Sequence, residues 1–176
     1  MLDMNPIYEK GAVAVTVRRA QPDDAEAIRA IRNHAIEHST ALWTQAPQSA
    51  AEGVAWLAAH LERGSAFVAE AEGEVAGFAV YGPWRQLDGY RHTVENSVYV
   101  RTDRHGLGIG SALLDALIAS ARAAGLHVMI AGIEAENTAS IRLHQRFGFE
   151  IAGTVREVGT KFGRWLDLTI MRLPLA

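Results

Sequence analysis

Three glycines at alternate positions, Gly106, Gly108 and Gly110, stand between an apolar run ending at Val100 and a long helical pattern from Ser111 onward. Glycine at such a junction lets the backbone approach a ligand closely. A helix N-terminus, with unpaired N–H groups and a positive dipole end, favours an anion there. The spacing therefore points to phosphate, and three readings compete. A nucleotide P-loop requires Lys-Ser/Thr after its last glycine, to meet the β/γ phosphates and magnesium. Ser111-Ala112 follow Gly110 instead, so that reading fails. A dinucleotide fingerprint requires GxGxxG after the first strand, with an acid about 20 residues later. The pattern here is GxGxG, deep in the chain, and the next strand has no acid before Glu134. The third reading is a glycine-softened turn with no ligand, and the glycines alone do not decide between it and an anion site.

The elements around the loop follow from periodicity. Residues 12–20 read as a strand, and a helix opens after Pro22 with Ala25, Ile28, Ile31, Ala35 and Ile36 at helical spacing. A second helix runs from Ser49 to a stop at Gly64, then two strands join by a tight turn near Glu72-Gly73. Residues 85–92 lack apolar periodicity and read as a loop, and 93–101 as a strand leading into the glycines. The following helix buries Leu113, Leu114, Leu117 and Ile118 and ends near Gly125. A strand at 126–133, a short helix stopped by Gly148 and two final strands complete a mixed α/β chain. Residues 1–11 read as a tail and 12–176 as a single domain. With 49% hydrophobic and 21% charged residues the composition is that of a globular protein, and a net charge of −3 gives no basic field for nucleic acid. The absence of cysteine excludes disulfides, thiolate metal sites and a cysteine nucleophile, and fits a reducing compartment. No apolar run approaches the ~20 residues that span a bilayer, and the first eleven residues do not read as a signal peptide. The expectation is a cytoplasmic protein without membrane or nucleic-acid partners.

Beyond the glycine loop, three stretches are distinctive: GPWRQLDGYRHTVENSVYV (82–100), SIRLHQRFGFEIAG (140–153) and VGTKFGRWLDLTIMRL (158–173). With these the chain resembles the GCN5-related N-acetyltransferase (GNAT) family, in its phosphinothricin and methionine sulfoximine acetyltransferase branch. The likeness runs over nearly the whole chain. It implies an α/β (α+β) fold, a mixed and mostly antiparallel sheet flanked by helices and splayed around a cofactor cleft. It implies acetyl-CoA as co-substrate, no metal, and a homodimer. Two positions depart from the family pattern: His105 stands where Gln or Arg is usual, and His144 where Tyr is frequent.

The resemblance assigns His105, Gly106, Leu107, Gly108, Ile109 and Gly110 to the pyrophosphate, Val98, Tyr99 and Val100 to the pantetheine arm and thioester carbonyl, and Asn137 to the cofactor as well as to a helix cap. His105 reads equally as an exposed loop histidine. Acetyl transfer to an amine requires removal of a proton from the ammonium form. Glu95 is the candidate base, because apolar strand neighbours would raise its carboxyl pKa. Read from the residue alone, a solvated strand carboxylate is the ordinary alternative. His144 is a second catalytic candidate, as acid toward the thiolate or in ordering water, with plain packing as its alternative. An amino-acid acceptor carries a carboxylate, which suits arginine; Arg85 comes first and Arg91 second, with Gln86, Leu87, Glu95, Asn96 and Ser97 completing the expected acceptor side and Lys161, in GTKFGRWLDL, reaching the site of a neighbouring subunit. Trp43 and Trp84 are candidate apolar walls, although either residue alone reads first as core packing. The implied activity is N-acetylation of the α-amino group of phosphinothricin, methionine sulfoximine or methionine sulfone-like amino acids. Alternatives are a polyamine or peptide N-terminus as acceptor, for which an acidic pocket would speak, or a CoA-binding sensor domain without catalysis.

Overall fold

The structure, a computed structural model, describes residues 7–9 and 14–176. Residues 1–6, and residues 10–13 with the start of the first expected strand, lie outside the described residues. Within the expected tail, β1 (Ile7–Glu9) pairs antiparallel with β2 (Ala14–Arg19). Asp24 then accepts from the Gln21 amide at 2.7 Å and from Arg18 at 2.8 Å, closing the turn that starts α1 (Ala25–His38). Ser49 and Glu52 form a reciprocal capping box on α2 (Ala50–Glu62). β3 (Ala66–Ala71) and β4 (Glu74–Pro83) meet at Glu72 (φ 54°) and Gly73 (φ 79°), the tight hairpin turn expected there. β5 (Thr93–Val100), α3 (Ile109–Ala123), β6 (Val128–Glu134), α4 (Thr138–Arg146), β7 (Glu150–Lys161) and β8 (Arg164–Pro174) follow.

The strands form one sheet in the order β1-β2-β3-β4-β5-β6-β8-β7, antiparallel at every junction but one. The exception matters most. β5 and β6 run parallel and pair only over Thr93–Glu95 with Val128–Ile130. Beyond Glu95 the β4 side of β5 stays paired as far as Val100, while its β6 side has no ladder. The sheet splits there into a cleft with one strand's backbone groups free along it. The expected mixed, mostly antiparallel sheet around a cleft is what the chain forms.

Each face of the sheet has its own core. α3 lays Leu113, Leu114, Leu117 and Ile118 against Val15, Ala69, Ala79, Met129 and Met171. On the other face, Ile28 and Ile31 of α1 and Leu57 of α2 pack on Val68, Phe78 and Val80. Because side chains alternate along a strand, β5 serves both: Val94, Asn96, Val98 and Val100 face α3 and α4, while Glu95, Ser97 and Tyr99 face α1 and α2.

Candidate functional site

The glycine loop enters α3 through two left-handed residues, Gly106 (φ 83°) and Gly108 (φ 81°). A Cβ at either would meet nothing within 4 Å, so backbone conformation, not space, demands glycine. Gly110 is different: its missing Cβ would stand 3.3 Å from Leu143, so it lets α4 approach α3. The first turn of α3 therefore opens, with its unpaired N–H groups, into a groove of about 1120 Å³. Val98, Tyr99, Val100, the loop His105–Gly110 and Asn137 line it, with α1 as the opposite wall. Such a groove, with a free strand edge and a helix N-terminus, suits a long molecule carrying phosphate. His105 is turned aside, its Nε2 donating to the Val100 carbonyl at 3.2 Å. Asn137 caps α4, its Oδ1 accepting from the Ser140 amide at 3.1 Å, as expected.

Glu95 sits at the point where the β5–β6 ladder ends. Its Oε1 lies over Gly132 of β6, where a Cβ would stand 2.8 Å away, so the glycine makes room for the carboxylate. The side chain keeps solvent access from the cleft, yet the surrounding protein raises its pKa by desolvation, and Arg85 offsets part of the rise. Arg85 comes from the loop after β4, stacked on Trp84 with Cζ 5.1 Å from the ring centroid. Gln86, Leu87 and Arg91 are exposed on the same loop, and Arg91 bonds back to the Asp88 carbonyl at 3.2 Å. Tyr99, stacked on Phe78, shares Glu95's face, and burial pushes its hydroxyl up to about 12.

One residue further along β5 the chemistry reverses. Asn96 points to the other face, is 7% exposed, and donates from Nδ2 to the Ile130 carbonyl at 3.1 Å. Its Oδ1 lies 3.0 Å from His144 Nε2, and His144 Nδ1 lies 2.8 Å from the Ser140 carbonyl. Two oxygens favour the doubly protonated ring, but burial is the larger effect and lowers its pKa. His144 is thus packed in the α3–α4 core, edge-on to Phe149 at 4.9 Å, across the sheet from Glu95. The two catalytic candidates are not brought together.

Lys161 is also engaged elsewhere. It is 1% exposed, and its ammonium donates to the carbonyls of Ser39 and Leu42, both at 2.6 Å. Trp43 covers Gly159 so closely that any Cβ there would overlap its ring. These contacts fasten the loop after α1, whose Ser39 and Ala41 line the groove, to β7. Both tryptophans proposed as walls make local contacts: Trp43 donates to the Thr40 carbonyl at 2.9 Å and Trp84 packs against Tyr90 at 5.2 Å. The sequence reading missed Gly132, Arg32, Trp56 and His60, which share the face of Glu95. Of these, Arg32 left a trace, a charge four residues from Ile28 and from Ile36 in a buried row.

The model of the acetyltransferase (GNAT) family matches residues 28–149. An L-methionine sulfoximine/L-methionine sulfone acetyltransferase of Pseudomonas paraeruginosa is 50% identical over 165 residues, covering 93% of this chain and 96% of that one. A phosphinothricin N-acetyltransferase of Alcaligenes faecalis is 39% identical over 169 residues, covering 95% and 86%. An acetyltransferase of Salmonella typhimurium solved with acetyl-CoA superimposes with a TM-score of 0.90 at 47% identity, covering 92% of this chain and 94% of that one.

Proposed function

The chain belongs to the acetyltransferase (GNAT) family, and on that premise we propose that it N-acetylates the α-amino group of small amino acids such as methionine sulfone, methionine sulfoximine and phosphinothricin. The observation that carries the reading is Glu95: a carboxylate of raised pKa at the split of the sheet, seated over Gly132 and under the field of Arg85. Acetyl-CoA brings the acyl group already activated as a thioester. The free edge of β5 and the N-terminus of α3 fit its arm and its pyrophosphate.

The chain's own groups supply the rest. Glu95 accepts the proton of the acceptor's ammonium, directly or through one water, and leaves the nitrogen lone pair free to attack. Arg85 attracts the α-carboxylate and so orients the amine toward Glu95. Unpaired N–H groups of β5 stand ready for the negative charge that grows on the carbonyl oxygen. As the carbon–nitrogen bond forms the carbon–sulfur bond breaks, and the proton lost by the new amide nitrogen neutralises the departing thiolate. His144 keeps β5 in place through Asn96 and takes no part in proton transfer.

β7 is the edge of the sheet and exposes Ile151, Val155 and Val158, with Phe162 and Trp165 beside them. An apolar edge of this kind calls for a cover, and the reading includes a homodimer formed there. The cysteine-free composition suits the cytoplasm. Thiol release from acetyl-CoA across a panel of α-amino acids, their decarboxylated analogues and polyamines tests the function. Turnover of the α-amino acids above the other two groups supports it, and equal or greater turnover of polyamines overturns it.

A further inference from the structure

Ile28, Arg32 and Ile36 follow one another at four-residue steps along α1, and the two isoleucines are 2% and 1% exposed. An arginine therefore fills the middle place of a buried apolar row. Its guanidinium is half-buried, with Cζ 5.0 Å from the ring centroid of Trp56 on α2. Among the described residues it has no carboxylate partner and no hydrogen-bond acceptor. Its five N–H donors keep contact with solvent and meet no acceptor in the protein, so they are available to a ligand. Packing does not require it, because an aliphatic residue would complete the row.

The surroundings indicate what the donors are for. Arg32 bears electrostatically on Tyr99, and Tyr99 on Glu95, so the guanidinium belongs to the face of β5 that carries the base. His60, the next polar group on α2, gives its Nδ1–H to the Trp56 carbonyl at 2.8 Å, and burial lowers its pKa against the pull of that carbonyl, with the charges of Arg63 and Arg32 adding to the fall. No anion from α2 answers Arg32. Arg85 acts on Glu95 from the loop side, whereas Arg32 faces Tyr99, on the same face of β5, from the helix side. An α-amino acid held with its ammonium at Glu95 and its carboxylate at Arg85 has one substituent left, its side chain.

We infer that Arg32 anchors a subsite for the far end of the acceptor's side chain, and that this subsite selects ends bearing hydrogen-bond-accepting oxygens, such as sulfone, sulfoximine, phosphinate or carboxylate. Trp56, under the guanidinium, and Tyr99, packed in the same cluster, are its aromatic neighbours and suit the aliphatic stem. The inference rests on the acetyltransferase reading above and adds to it the basis of side-chain choice.

The test compares wild type with R32M and R32K on L-methionine sulfone and on L-norleucine, which has a similar length and no side-chain oxygen. R32M should lose about 10–100-fold in kcat/KM on the sulfone and less than about 3-fold on norleucine, because only the sulfone loses a charged donor. R32K should fall between. Acetyl-CoA affinity should hold, and the Tm of R32M should equal or exceed that of wild type, since methionine can still pack on Trp56 and a half-buried charge without an ionic partner has been removed. Equal loss on both acceptors, or a lowered Tm with weakened acetyl-CoA binding, overturns the inference and makes Arg32 structural. Failure of the parent reading looks different: the wild type would acetylate no amino acid. In that event the heat of methionine sulfone binding to CoA-loaded wild type and R32M decides, and equal affinities overturn the subsite.

Discussion

Glu95 and Asn96 are neighbours in sequence and similar in size, yet the two faces of β5 use them in opposite ways. Glu95 looks into the cleft, has no hydrogen-bond partner among the described residues, and is held against Gly132 with its carboxyl pKa raised. Asn96 looks into the α3–α4 core and is bonded on both sides, to Ile130 and to His144. Both stand where the parallel ladder of β5 and β6 ends. One side chain keeps the opening reactive while the other braces it. A polar group left unpaired is poised for a substrate, whereas a fully paired one stabilises a shape.

The most severe way to break this contrast is on the reactive face. Glu95→Gln keeps the shape but removes the proton acceptor, and should lower the chemical step by about 10²–10⁴-fold. Acetyl-CoA affinity should be retained and Tm should not fall, and the loss should shrink as pH rises and free amine becomes abundant. Pre-steady-state turnover beside calorimetry separates the two effects. Near-normal turnover at neutral pH would leave Glu95 without a catalytic role.

On the bracing face the same kind of change should do the reverse. Asn96→Ala leaves the Ile130 carbonyl and His144 Nε2 without their partner in a buried setting, and should cost about 2–3 kcal/mol of stability in denaturant unfolding. A variant that unfolds with the wild type would show that the opening needs no brace. Gly132→Ala then tests the contact between the strands. The new methyl would press on Glu95 Oε1, the end of a flexible side chain, so the fold should survive while the carboxylate moves. A loss of about 10-fold in kcat, with Tm unchanged, is expected from a displaced base.

What could be read from the sequence divides along a similar line. The glycine loop, the helices and the strand carrying Glu95 were legible because positive φ and periodicity are local properties. The opposition of Glu95 and His144 followed less easily, because it needs the alternation of β5 together with the side of the sheet on which α4 lies. Lys161, expected at the acceptor site of a neighbouring subunit, clasps carbonyls 122 and 119 residues away within its own chain, a distance no local pattern spans. β7 reaches Lys161 through a bulge in which Glu157, at φ 49°, gives its amide proton to Asp167 at 2.8 Å, a break in register that side-chain alternation does not announce.

The smallest expected effect is the most specific, because the two faces should titrate with opposite sign. Burial raises Glu95 above the ordinary glutamate value of 4.5, against the smaller pull of Arg85. Between 4.5 and its folded value, the native protein holds a proton that the unfolded chain has released, so stability falls as pH rises through that window. Burial lowers His144 below 6.5, against the smaller effect of the Ser140 carbonyl. Between its folded value and 6.5 the unfolded chain holds the extra proton, so stability rises with pH up to 6.5. Urea midpoints taken from about pH 4 to pH 8 should show Glu95→Gln more stable than wild type at neutral pH, with the gap closing toward acid. His144→Gln, whatever its overall loss, should lack the wild type's acid-side fall. Parallel curves for wild type and Glu95→Gln would mean that the carboxylate titrates as if fully in water. The cleft would then lack the low-dielectric wall that makes Glu95 a base, and the contrast between the two faces of β5 would reduce to one of exposure.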